Sequence, residues 1–495
     1  MTERRGCWAW AVALLAALFS VARLVPAALL ELAPDEAYYW TWSLSPAWSF
    51  PDHPPAIAWL VRAGTAIAGE GTIGVRLASV LLGASALALI YRIGRESGAD
   101  PRHSLCAAVV AAWMPVPAAG ALLATPDALL GLCWLVAVLA LLRLVSNPRA
   151  LSPWIALGAS LGAGMLAKHQ ALLILPLAAT ALLDRRVRAV SLGPRPLLAL
   201  AVACAIALPH LLAESAAGWP SYRFQLAHLS GDLPGATSYG AAGFLLRPLE
   251  LVAGQLGLIT PLLAWLAVLG LAQSAPDRPR RAVIGAGLLL PIAAALLVSP
   301  LAHPEQSWAS LGHPLAAVAA LSLPDERAER NPRRTGGWRT AAIALTLAVT
   351  AAAHIHALFP LLPLPPERDP ISRLHGWSDL SARASALPLA RSREIWVCDN
   401  YGLAAELAWS LRNLPGGPAI FSADRGEAPP PGDWLVLDEI GDWAGAPFPS
   451  GCERHTSIAT LRAERRDGEV VRRVEVGIGG GCRSDCERGE KTAPR

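Results

Sequence analysis

Long apolar stretches recur along the first 362 residues of this chain, and the arginine-rich loops between them alternate with arginine-poor ones. This pattern restricts the fold more than any other feature, because a lipid-embedded segment must satisfy its backbone groups internally. The stretches lie at 7–30, 72–92, 104–121, 127–146, 153–167, 169–183, 196–212, 248–272, 282–300, 306–323 and 339–362. At ~20 residues per crossing they predict about eleven transmembrane helices. The first run follows Arg4 and Arg5 and is longer than the roughly 7–15-residue apolar core of a cleaved signal peptide, so it reads as a retained helix. Composition agrees: 54% of residues are hydrophobic and only 16% charged, against roughly 25% charged in a soluble domain.

Lys and Arg in short loops set orientation. Arg92, Arg95 and Arg102 share one loop, Arg143 and Arg149 another. Residues 184–195 carry four arginines, Arg278, Arg280 and Arg281 form a further cluster, and Arg327, Arg330, Arg333, Arg334 and Arg339 the last. With the N-terminus inside, all of these loops fall on the cytoplasmic side. The loops 31–71, 213–247 and 301–305 then face outward, as does everything after about 363. The expected location is the cytoplasmic membrane of a bacterium. A net charge of +4 is too small to suggest a nucleic-acid partner.

Residues 363–495 change character. Apolar runs shorten, and strands are expected at 394–398, 419–422, 434–437, 455–462 and 469–477, with an amphipathic helix over 401–411. The fold class is therefore mainly α: a polytopic helix bundle, residues 1–362, with a small outward α/β domain, residues 363–495. Four of the eight cysteines, Cys398, Cys452, Cys482 and Cys486, lie in this tail. A disulfide joining Cys452 to Cys482 or Cys486 is one expectation, and no disulfide the other.

Polar residues gather on the outward side. Asp35 and Glu36 sit where the first apolar run ends, and Asp52 and His53 precede Pro54-Pro55. Tyr38, Tyr39, Trp40, Trp42 and Trp48 fill the space between. Asp127 opens the fourth span, and Lys168 and His169 separate two short ones. His303, Glu305, Trp308 and His313 form another outward or membrane-edge cluster. Each has a structural explanation: a helix cap for Asp35 and Glu36, a helix start for Asp127, a turn at Asp52-His53, a snorkelling lysine, an interfacial aromatic belt. Their common side is the argument for chemistry. No Walker loop, nucleotide fingerprint or dense His/Cys motif is present, which argues against a nucleotide-sugar donor or ATP-driven transport.

The segment PDEAYYWTWSLSPAWSFPDHPPAIAWL resembles the first outward loop of bacterial protein-mannosyltransferase-like glycosyltransferases. These include the lipid A aminoarabinose transferases and belong to the membrane-integral GT-C superfamily. Weaker matches follow in order: TPDALLGLCWLVAVLAL, GAGMLAKHQALLILP, GWPSYRFQLAHLSG with GFLLRPLELVAGQLGLITPLL, and DNYGLAAELAWSL. The resemblance implies inverting transfer of a sugar from polyprenyl phosphate to a hydroxyl on a glycolipid, lipid A, a glycan or a protein. It makes Asp35, with Glu36 beside it, the catalytic base, and Lys168 a phosphate contact. Asp52 and His53 fall where relatives carry a carboxylate and a lysine implicated in metal or phosphate binding, and Asp127 is the second-loop carboxylate. If a divalent ion takes part, Asp52 and Asp127 are its expected ligands. Relatives often pair His with Trp before a late span; HPEQSWASLGHP separates His303 from Trp308, so no role is carried there.

Such a reaction has a short list of needs. The leaving phosphate has a second pKa of ~6 and departs without a general acid. It needs positive charge as the bond breaks, and the acceptor hydroxyl needs a base. Two other classes fit the same residues: a transporter or flippase of lipid-linked sugar, and a non-catalytic subunit on a transferase scaffold. Transporters favour ionisable groups near the midplane of symmetric halves, and neither feature is read here.

Overall fold

The computed structural model describes residues 2–230, 240–272, 278–300, 302, 304–322, 331–366, 368–387, 395–398, 400–422, 433–439, 457–465 and 468–480. They divide into two compact units. One comprises residues 1–28 and 46–354, the other 29–45 and 355–495.

The first unit is a helix bundle. Among the described residues, six helices are long and apolar enough to cross a membrane: Cys7–Leu29, Thr72–Glu96, Pro126–Ser146, Arg195–Ala216, Arg278–Val298 and Pro332–Leu358. The helix Pro126–Ser146 is the central one, since 67% of its apolar window is buried inside the protein against 22–44% for the others. It buries Trp134 completely, and the indole N–H donates to the Gly287 carbonyl at 3.0 Å. Lipid tails are as apolar as leucine, so helices associate here through close packing rather than the hydrophobic effect. Gly158 and Gly162 provide it: a Cβ on Gly158 would stand 2.1 Å from the Ala199 carbonyl oxygen, and one on Gly162 2.8 Å from that of Ala203. The helices Leu151–Ala167 and Arg195–Ala216 thus touch backbone to backbone.

Several expected spans are discontinuous, and proline marks most of the breaks. The 248–272 stretch bends by 92° between Phe244–Ile259 and Pro261–Leu271. Pro261 has no N–H to continue the first helix, and Thr260 turns out of it at φ 71°. Its hydroxyl meets that of Thr346 at 3.0 Å. The 104–121 stretch divides into Pro101–Ala112 and Pro115–Gly120. The 306–323 stretch is a short turn of helix Gln306–Ala309, a 3-10 turn and the helix His313–Leu321.

The second unit is a five-stranded mixed sheet with helices. Strands β1 (Ile395–Cys398), β2 (Ala419–Ser422), β3 (Asp433–Glu439), β4 (Ser457–Glu464) and β5 (Val470–Gly480) lie in the order β2-β1-β3-β5-β4. β1 pairs in parallel with β2 and β3, and the helix Tyr401–Leu411 makes the β1–β2 crossover. β5 runs antiparallel to both β3 and β4. Trp377, Trp396, Leu403, Leu407, Leu435 and Leu437 fill its core. Cys398 is buried in β1, while Cys452, Cys482 and Cys486 lie outside the described residues.

Residues 29–45 fold with this sheet unit. Trp40 packs edge-on against Trp409, ring centroids 5.1 Å apart, and Gly402 lies so near Pro34 that an added Cβ would stand 3.0 Å from the proline Cβ. The Glu31 carboxylate accepts the backbone N–H groups of Trp377 and Ser378, both at 3.0 Å. These are among the orphan donors that open the helix Trp377–Ala386. Its N-cap, Gly376, has no side chain to offer and sits at φ 87°.

Candidate active site

The bundle unit brings two of the expected residues into direct contact. Asp127 occupies the first turn of Pro126–Ser146. Lys168 ends the helix Leu151–Ala167 in an extended conformation, φ −160° and ψ 141°, which turns the chain into the 3-10 turn His169–Leu173. The Lys168 ammonium donates to both Asp127 oxygens, at 2.9 and 3.2 Å. Lys168 also lines a cavity of about 340 Å³. His169, Gln170, Tyr222, Gln225 and Trp308 join it there, and Leu172, Leu173, Leu226, Leu229 and Val298 supply hydrocarbon wall. A cavity with a cation in its lining and leucines around it is suited to an amphiphile.

The segment 48–52 is pinned to this region by residues that sequence reasoning passed over. His210 and Glu214, one turn apart on Arg195–Ala216, are both fully buried. The His210 Nδ1 lies 2.7 Å from the Trp48 carbonyl, Ser49 donates to Glu214 Oε1 at 2.5 Å, and the backbone N–H of Ser221 donates to Oε2 at 3.2 Å. An ionisable residue closing an apolar span is costly and functional by default, and that signal was available in the sequence. Gln225 donates to the Asp52 carbonyl at 2.9 Å, so the helix Pro220–Ser230 touches both the loop and the cavity. The Asp52 side chain is buried, and His53 is half-buried just before the helix Ala56–Ala68. On the same helix as Gln225, burial depresses the His228 imidazole below its ordinary value, Lys168 adds to this, and Glu305 opposes it.

Of the late cluster, His313 is buried with Nε2 2.7 Å from Gln255 Oε1. Glu305 accepts from the Ser307 hydroxyl at 3.1 Å, and His303 lies outside the described residues. Both Asp127 oxygens are taken by Lys168, and among the described residues no three His, Cys, Asp or Glu side chains group to hold an ion.

Asp35 and Glu36 belong to the other unit, at the start of the helix Pro34–Leu44. Glu36 is buried, and its Oε2 accepts the Ala33 N–H at 2.9 Å, which caps the helix. Asp35 is about one-third exposed. The Tyr401 hydroxyl donates to its Oδ1 at 2.8 Å, and Arg373 Nη2 stands 3.7 Å from Oδ2. Neither Tyr401 nor Arg373 was a sequence candidate.

Residues 52–212 match the family model for dolichyl-phosphate-mannose-protein mannosyltransferases. The structure of ArnT from Cupriavidus metallidurans bound to undecaprenyl phosphate aligns with a TM-score of 0.57 at 15% identity, over 98% of this chain and 99% of that one. The chain has an ArnT-like GT-C fold. Among curated proteins it is similar to lipid A galacturonosyltransferase RgtD of Rhizobium johnstonii, 26% identical over 77% of each chain. It is also similar to undecaprenyl phosphate-alpha-4-amino-4-deoxy-L-arabinose arabinosyl transferase 2 of Pseudomonas fluorescens, 32% identical over 44% of this chain and 40% of that protein. The resemblance to protein-mannosyltransferase-like glycosyltransferases therefore holds.

Proposed function

We propose that this protein is an inverting glycosyltransferase of the GT-C type. It moves a sugar from a polyprenyl-phosphate donor to an acceptor hydroxyl on lipid A, another glycolipid, a glycan or a protein, at the outer face of the bacterial cytoplasmic membrane. The observation that carries the reading is the Lys168 cavity: a buried cation with leucine walls suits a prenyl chain ending in phosphate. The name of the arabinosyl transferase relative points to the same donor class.

Each residue has one task in this reading. Asp35 takes the proton of the acceptor hydroxyl, whose oxygen attacks the anomeric carbon. The bond from that carbon to the phosphate oxygen breaks, and the electron pair leaves on the phosphate, so one displacement inverts the anomeric centre. Lys168 and His53 steady the departing phosphate. Asp127 holds the lysine in place, Asp52 braces the loop that carries His53, and Glu36 fixes the helix that carries Asp35. The bundle, residues 1–362, crosses the membrane about eleven times with its N-terminus in the cytoplasm, and residues 363–495 lie outside. The arginine distribution supports this orientation.

The test is Asp35→Asn. A positioned base contributes about 10²–10⁴-fold, so the variant is expected to lose that much transfer while inserting into membranes and melting like the wild type. Transfer at near wild-type rate by correctly inserted Asp35→Asn protein would sink the proposal.

A further inference from the structure

We propose that Tyr401 is the positioning residue for Asp35, and that the C-terminal domain thereby supplies part of the catalytic apparatus. The inference rests on the reading of Asp35 as the base. An aspartate in the first turn of a helix has backbone N–H groups of its own helix within reach, and a carboxylate that turns back to cap them is lost to chemistry. Here those donors have another acceptor, because the N–H groups of Glu36 and Ala37 both go to the Ala33 carbonyl, at 2.8 and 3.1 Å, while Glu36 takes the Ala33 N–H at 2.9 Å. Asp35 is instead engaged by Tyr401, whose hydroxyl donates to Oδ1 at 2.8 Å. A phenol remains protonated at neutral pH, so it donates and the carboxylate accepts. One oxygen is fixed in this way, and the other is left to receive the proton of a hydroxyl.

Tyr401 is itself held on three sides. Its helix is capped by Asn400, whose Oδ1 accepts the Leu403 N–H at 2.8 Å. Its ring packs on Tyr38, centroids 4.8 Å apart, one turn along the helix that carries Asp35. Gly402 permits the two helices to meet at Pro34. Hydroxyl and carboxylate are therefore set on two elements locked against each other. Arg373, 3.7 Å from Oδ2, is beyond hydrogen-bond range and adds charge without fixing geometry. Tyr401 acts through Asp35 and is not a base in its own right.

Tyr401→Phe keeps the ring on Tyr38 and removes only the donor. A hydrogen bond to a charged group corresponds to about a 10- to 100-fold effect. Steady-state transfer by purified full-length protein in lipid nanodiscs, with Asp35→Asn run alongside, is expected to show kcat lowered by that factor. KM for donor and acceptor and the melting temperature should stay at wild-type values. Wild-type kcat in Tyr401→Phe with Asp35→Asn inactive overturns the positioning role and leaves the base assignment standing. A fall in kcat matched by a fall in melting temperature overturns it too, since the tyrosine then acts only on the fold. Activity in Asp35→Asn removes the base assignment and this inference with it.

Discussion

Lys168 has a side chain that is 10% exposed, and Asp127, with a side chain 33% exposed, accepts from it on both oxygens. Removing one partner of such a pair costs between the ~1 kcal/mol of an exposed bridge and the ~3–5 kcal/mol of a buried one. Lys168→Met is therefore expected to lower the melting temperature and abolish transfer. Adding Asp127→Asn removes the orphaned charge, so the double variant should recover most of the stability. If Lys168 serves the phosphate, it should recover none of the activity; wild-type transfer by the double variant would reduce the pair to a structural role. Asp127 and Lys168 were legible in the sequence because a charge bordering an apolar run stands out. Tyr401 and Arg373 were not, because each lies more than 330 residues from Asp35 and looks like an ordinary surface residue until the fold joins them.

The helix Leu151–Ala167 matters because it ends on Lys168, and its packing on Arg195–Ala216, which carries His210 and Glu214, depends on two glycines. Gly158→Leu has no space to enter, since even a Cβ would lie 2.1 Å from a backbone oxygen. Overpacking of this kind costs about 1–3 kcal/mol, and here the helices must also separate. Thermal unfolding in detergent should show a clear loss of stability, with transfer falling as well, because Lys168 and Glu214 sit on the two displaced elements. An unchanged melting temperature would mean that the two helices do not meet at Gly158. Elements of the C-terminal domain were legible by pattern: alternation marked the strands later found at Ser457–Glu464 and Val470–Gly480, and the helix Tyr401–Leu411 was expected at 401–411. Continuity within the bundle was less legible. Hydropathy does not register a 92° turn at Thr260-Pro261, because the two sides together read as one apolar stretch.

At the scale of the whole molecule, the division into two units cuts across the order of the chain. Residues 29–45 leave the first membrane helix and fold with the sheet formed by the last third of the chain. Glu31 caps one helix of that unit and Tyr401 reaches Asp35 from another, so in this account the C-terminal domain is part of the enzyme and not an appendage. Sugar and acceptor depend on groups that composition and periodicity do not encode, and they are best read from the cell. The most direct measurement is mass spectrometry of lipids and glycans from cells lacking the protein and from the same cells complemented with wild type or Asp35→Asn. Accumulation of one polyprenyl-phosphate sugar, with loss of a single acceptor modification, both reversed by wild type and neither by Asp35→Asn, is the predicted result. Unchanged acceptors in the deletion, with lipid-linked sugar merely displaced between leaflets, would contradict glycosyl transfer and favour a flippase.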